Sequence, residues 1–201
     1  TVGGVISDIQ MNGGLKANYS NFSASGLTIK ANKNVGGISG IICQQTLNGA
    51  TVRNVHIESE YTSVGIVSGA KGDNKSFVEN VTYADVTGTN SVIGDSYGKD
   101  LKKVSTADEL VEALEANEGV YFMNDIKIDP ASMSNAYGAT GINVKNGQTI
   151  DGNGHTLNIK GAGGTWDSGI CTSGGLIKNI TVTGSFRGIF IKNSEYNEKV
   201  V

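Results

Sequence analysis

A block that recurs along the first half of this chain constrains its fold more than any other feature. Val2-Gly3-Gly4-Val5-Ile6-Ser7, Val35-Gly36-Gly37-Ile38-Ser39-Gly40 and Val64-Gly65-Ile66-Val67-Ser68-Gly69 are versions of one another, with a short echo at Val92-Ile93-Gly94. From Val2 to Val35 is 33 positions, from Val35 to Val64 is 29, and from Val64 to Val92 is 28. Self-similarity on this scale means one supersecondary unit stacked on itself, each copy covering an apolar face that its neighbour cannot bury alone.

A second pattern falls between these blocks. Arg53-Asn54-Val55-His56-Ile57, Glu79-Asn80-Val81-Thr82-Tyr83 and Lys178-Asn179-Ile180-Thr181-Val182 share a charged residue, an Asn and then strict alternation, and Ser20-Asn21-Phe22-Ser23-Ala24 is a looser copy. Alternation of period two reads as a short strand with one buried face, and the Asn marks the corner where it begins. Asn21 to Asn54 is again 33 positions. In a parallel stack, equivalent Asn residues would form a ladder whose amides satisfy turn backbone otherwise left unpaired. The residues predicted for that structural ladder are Asn54, Asn80 and Asn179.

Composition excludes several classes. With 201 residues the chain has room for one or two domains and a core. Its 29 glycines are about twice the usual ~7% share, yet there is a single Pro and no Gly-X-Y period, so collagen and Pro-rich disorder are set aside. A net charge of -3, with acids and bases mixed, leaves no electrostatic footprint for nucleic acid or an anionic membrane. No apolar run approaches the ~20 residues that span a bilayer. The chain starts at Thr1 with no charged-then-apolar leader, as a mature or trimmed protein would. Cys43 and Cys171 lie far apart in apolar or Gly-rich settings and read as free thiols, the alternative being a disulfide that joins the two halves.

The run Val-Gly-Gly-Ile-Ser-Gly, a variable loop and then Asn-Val-x-Ile resembles the GLUG repeat over residues 34 to 95. That resemblance implies a large bacterial surface protein of the adhesin type. Here Ile66 replaces the second glycine, and the last copy breaks off after Gly94.

Residues 96–103 interrupt the pattern with charge and glycine and are predicted to link two domains, 1–95 and 104–201. Thr106-Ala107-Asp108-Glu109 is a capping box that opens a helix with Leu110, Val111 and Leu114 on one apolar face, and Gly119 is predicted to stop it. Val120-Tyr121-Phe122-Met123 and Ile126-Lys127-Ile128 read as strands, closed by Pro130. Gly147-Gln148-Thr149-Ile150-Asp151-Gly152-Asn153-Gly154-His155-Thr156-Leu157-Asn158-Ile159 then restores the strand pattern, and Leu157 to Ile180 is 23 positions, about one coil of a three-sided solenoid. A helix, a strand and then Thr-Ile-Asp-Gly-Asn-Gly-His-Thr-Leu resemble the opening of right-handed parallel β-helix proteins of the pectate-lyase-like superfamily. The resemblance implies an all-β, repetitive parallel β-solenoid whose one short helix plugs the N-terminal end of the second half.

That superfamily includes lyases, glycoside hydrolases, phage tailspikes and adhesins, so fold alone does not name an activity. None of the hydrolase motifs Asn-Thr-Asp, Asp-Asp, Gly-His-Gly and Arg-Ile-Lys is present, although Arg187-Gly-Ile-Phe-Ile-Lys192 echoes the last. The lyases hold calcium with clustered acids, and only Asp151, Asn153 and Asp167 offer a partial set; Asp151-Gly-Asn153-Gly reads better as a tight turn. No nucleophile elbow or Gly-x-Gly-x-x-Gly occurs, and two histidines alone make no zinc site. No catalytic residue, resident metal or cofactor is assigned.

Sugar recognition has candidates. Trp166 lies in a Gly-rich loop beside Asp167, where an indole can stack on a sugar face and a carboxylate can bind hydroxyls; Tyr137 and Arg187 complete the glycan-binding set. The competing reading folds both rings back as lids over the solenoid and leaves Arg187 as a solvated edge charge. The chain stops at Val201 soon after a strand, so either the parent protein continues beyond it or the uncapped final coil meets another molecule, end-to-end self-association being the form expected. Five Asn-x-Ser/Thr sequons, at Asn18, Asn21, Asn74, Asn80 and Asn179, are read as coincidental. These features favour a secreted or surface protein that adheres to polysaccharide or host glycan without turnover. The alternatives are a polysaccharide lyase or hydrolase of unfamiliar site and a structural spacer.

Overall fold

The structure is a computed structural model that describes residues 1–10, 19–73, 75–95, 99–129, 141–160, 168–185 and 187–191. The chain divides into two units, Thr1–Asp100 and Leu101–Val201. Each is a parallel β-solenoid built of three sheets.

In the first unit, one sheet stacks β1 (Val2–Gly3), β4 (Val35–Gly36) and β7 (Val64–Gly65), and a second stacks β2 (Ile6–Gln10), β5 (Ser39–Cys43) and β8 (Ser68–Lys71). The third stacks the long strands β3 (Tyr19–Ala31), β6 (Thr46–Ser59) and β9 (Phe77–Thr87). Val2 pairs with Val35 and Val35 with Val64, the register that the Val-Gly blocks predict. Glycine is required there by packing. A Cβ on Gly36 would press against the Ser39 carbonyl oxygen and sit 2.6 Å from the Gly69 nitrogen. The core runs inside the coils through Ile9, Val35, Ile38, Ile42, Leu47, Val52, Val55, Ile57 and Val67.

Three of the predicted alignments shift, one of them in the second unit, where Leu157 pairs with Val182 and not with Ile180. Val67 and Ser68 both donate main-chain N–H to Val92, as Ile38 and Ser39 do to Val67, so Val92 stacks on Val67 rather than on Val64. The Asn corners also divide into two sets. Each long strand turns twice through a left-handed residue, first at Asn21, Gly49 and Asn80 (φ 58, 80 and 52), then at Gly26, Asn54 and Asp85 (φ 67, 51 and 55). Ala50 pairs with Val81 and Arg53 with Ala84, so Asn54 lies in the second set and Asn80 in the first. Asn, Gly and Asp are the residues that tolerate this conformation, so either corner can carry an Asn and spacing alone does not distinguish them.

In the second unit, β10 (Lys102–Val104), β11 (Val120–Phe122), β14 (Thr149–Asp151) and β17 (Leu176–Lys178) form the first sheet. The second holds β12 (Ile126–Ile128), β15 (Thr156–Ile159) and β18 (Thr181–Thr183), and the third holds β13 (Ile142–Val144), β16 (Ser168–Thr172) and β19 (Arg187–Ile191). Lys102 and Lys103, expected in the linker, belong to this unit through β10. Helix α1 (Ala107–Glu115) packs Leu110, Ala113 and Leu114 onto the core of Val104, Val120, Phe122, Ile126, Ile142 and Ile150.

The capping box forms as predicted: Glu109 N–H donates to Thr106 Oγ1 at 3.2 Å, and Glu109 Oε2 accepts from the Thr106 and Ser105 amides. The helix ends earlier than predicted. Asn117 takes φ 65, its N–H bonds the Leu114 oxygen and Glu118 N–H bonds the Ala113 oxygen, a Schellman closure in which Asn does what was expected of Gly119. Neither cysteine forms a disulfide; Cys171 is buried, and Cys43 is half-buried with burial pushing its thiol pKa up. Among the described residues no helix is long and apolar enough to cross a membrane. Pro130 lies outside the described residues.

Candidate functional site

Alternation along the first sheet of the second unit turns Val120 and Ile150 into the core and their neighbours outward. The register then stacks Lys103 on Tyr121, Tyr121 on Asp151 and Asp151 on Lys178. Adjacent strands lie about 4.8 Å apart, so this outward column spans roughly 14 Å from the first lysine to the last.

Asp151 is the centre of the column. It is 7% exposed. Its Oδ2 lies 3.0 Å from Lys178 Nζ, and its Oδ1 accepts from the Asn153 main-chain N–H at 3.0 Å and from Asn179 Nδ2 at 3.1 Å. Burial alone would raise its pKa. The Asn153 amide, Lys178 and Asn179 outweigh burial and hold the carboxyl below its ordinary range. Half-buried Lys103 is shifted by burial too, its pKa falling because desolvation disfavours the ammonium.

The turn after Asp151 is tight. Asn153 and Gly154 both take positive φ, and His155 N–H closes onto the Gly152 oxygen at 2.8 Å. Side chains then tie coil to coil: Asn153 Nδ2 donates to the Phe122 oxygen at 3.2 Å, and Asp125 Oδ1 accepts from the Thr156 N–H at 2.8 Å with His155 Nδ1 at 3.4 Å. Among the described residues no three of His, Cys, Asp or Glu converge as a metal site would require.

The residues singled out from sequence fall in different places. Trp166, Asp167 and Tyr137 lie outside the described residues. Arg187 is on the third sheet, pairing with Ser168, its guanidinium carbon 5.3 Å from the Phe190 ring centroid; Asp151 is on the first. Asn179 donates across to Asp151 of the preceding coil, whereas Asn80 Nδ2 donates to Asn48 Oδ1 at 2.7 Å and Asn54 stacks between Gly26 and Asp85. Lys103 and Tyr121 were not singled out as site residues. The available signal was Tyr121 itself, a polar-tipped ring between the buried Val120 and Phe122.

Residues 101–200 match the family of pectate lyase-like adhesive domains. The match takes in β10 and therefore the whole Lys103–Lys178 column. Comparison with curated proteins and with solved structures found no match.

Proposed function

We propose that this chain is part of a bacterial protein, secreted or held at the cell surface, that adheres to a polysaccharide or host surface glycan without cleaving it. The observation that carries the reading is the state of Asp151. Its two oxygens are already committed to Lys178, Asn179 and the Asn153 amide. Acid–base chemistry on a sugar needs a carboxyl or amine free to move a proton at the scissile bond, whereas binding needs only fixed donors, acceptors and ring faces. Tyr121 between Lys103 and Asp151 offers that kind of surface, and the adhesive family matched by the second unit supports the same reading. The glycine-bound coils of the first unit support the GLUG-type assignment of residues 34 to 95.

One observation favours the enzyme reading: burial lowers the pKa of Lys103, in the direction a lysine base requires. Size-exclusion light scattering of acidic and neutral polysaccharides, incubated with the protein with and without calcium, separates the two. Unchanged polymer mass with co-eluting protein supports adhesion, and Trp166→Ala and Tyr121→Ala then locate the surface. A falling polymer mass overturns it in favour of cleavage, with Lys103→Met as the variant that abolishes it. Neither change leaves the spacer reading.

A further inference from the structure

The first unit is left with one side of a coil unfilled. Above β7 and β8 the chain adds a further rung: Ile66 N–H donates to the Ser91 oxygen at 2.7 Å, Val67 N–H to the Val92 oxygen at 3.0 Å, and Ser68 bridges to Ile93. Among the described residues no such rung lies above β9. β9 is the last strand of its sheet, and among the described residues no strand pairs with its outer edge. Its side chains register the gap. Val52 of β6 is 0% exposed, yet Tyr83, its partner on β9, is 51% exposed, and Val78, the partner of the fully buried Leu47, is only half-buried.

We infer that the free edge of β9 receives a single extended strand from another protein chain, laid parallel to β9 and alternately apolar, with Asn or Gly at two positions five residues apart. Three features define this occupant. An unpaired edge supplies main-chain donors and acceptors to a strand that continues the sheet. Every strand of this sheet turns through positive φ at the same two places, so a partner must do so over Asn80 and over Asp85, which suits Asn or Gly and rejects β-branched residues. The charged residues of β9 are Glu79 and Asp85, so the partner is neutral or basic. A second copy stacked by its own first coil does not fit, because its β1 and β2 would need the rung that Ser91–Gly94 fills.

The probe is a fluorescently labelled synthetic peptide with the sequence of Tyr19–Ala31, which carries Asn21 and Gly26 five apart, Lys30 and no acid. It is titrated into the whole protein and followed by anisotropy, with hydrogen exchange of the β9 amides read in parallel. The expected result is binding at least tenfold tighter than that of the same peptide with Asn21→Val and Gly26→Val, together with slowed exchange along β9. The double variant Phe77→Lys/Tyr83→Lys changes only exposed side chains and is expected to weaken binding at least tenfold while leaving unfolding unchanged. Equal binding of the two peptides, or unaltered binding by the double variant, overturns the inference. So does full protection of the outer β9 amides in the free protein, or a concentration-dependent dimer that protects them.

Discussion

Gln148 donates through Nε2 to the main-chain oxygen of Leu114 at 2.8 Å, so a turn of the second coil closes the end of the helix that caps the first. The same amide donates to the Glu118 oxygen at 3.2 Å, and its Oε1 accepts the Lys145 N–H at 2.7 Å. The last carbonyls of a helix have no partner within it; here the Leu114 oxygen accepts from the Asn117 N–H of the closing turn and, as a second donor, from the buried Gln148 amide. Gln148→Leu keeps much of the volume and strips the partners, so it should destabilise the second unit by about 1–3 kcal/mol. Denaturant unfolding measures the loss, and faster exchange of the α1 amides places it. A variant with α1 protection equal to wild type would show that the helix is held by its apolar face alone.

The two corner sets predict which substitutions the long sheet accepts. Gly26 takes φ 67, and a Cβ there would meet nothing within 4 Å. Backbone conformation alone therefore decides the outcome. Gly26→Asn reproduces the residue that Asn54 already places in this column and should change stability by less than about 0.5 kcal/mol. Gly26→Val should cost about 1–2 kcal/mol, because a β-branched residue resists the left-handed region. Thermal unfolding of both variants tests the difference; equal loss in the two would mean that the corner is not held at positive φ.

Gly36 presents the opposite constraint, one of space. A Cβ there meets main-chain atoms of its own turn and of the next coil, and backbone cannot step aside as a flexible side chain does. Gly36→Ala should cost more than the ~1–3 kcal/mol typical of overpacking and shift exchange protection throughout the first unit. Retention of wild-type unfolding would show that the coils can spread to admit a methyl group.

These cases show which parts of the fold were legible in the sequence. Val2, Val35 and Val64 announced their register because each precedes a glycine that only a glycine-sized residue can replace, so spacing and packing carry one signal. Asn21, Asn54 and Asn80 misled because the same residue type suits two different corners, and a shared 33-residue spacing is no proof of a shared column. Thr106 and Glu109 declared the start of α1 through a local motif, whereas its end was set by Asn117, one of many Asn residues with no motif around it. Lys103, Tyr121, Asp151 and Lys178 come from four separate strands. Only register makes them a column, so no local pattern could have assembled it.

The pH dependence of the second unit tests that column. Asp151 has a folded-state pKa below its unfolded value, so its contribution is present above the ordinary carboxylate pKa of about 3.9 and is lost as pH falls through the lower folded value. Glu109 is also depressed, first by the Ser105 amide, and loses its contribution in the same direction. Asp151→Asn isolates the first effect: an acceptor oxygen for Asn153 and Asn179 remains, and the charge opposite Lys178 is gone. The variant should be less stable than wild type near neutral pH, and the gap should close as pH falls below about 4 and wild-type Asp151 takes up its proton. Lys178→Met should narrow the gap from the other side by leaving the carboxylate without its ammonium. Thermal unfolding of the three proteins from about pH 7 down to about pH 2 gives the comparison. Parallel curves at every pH would show that the Asp151–Lys178 pair contributes nothing and that the column is held by its amide bonds alone.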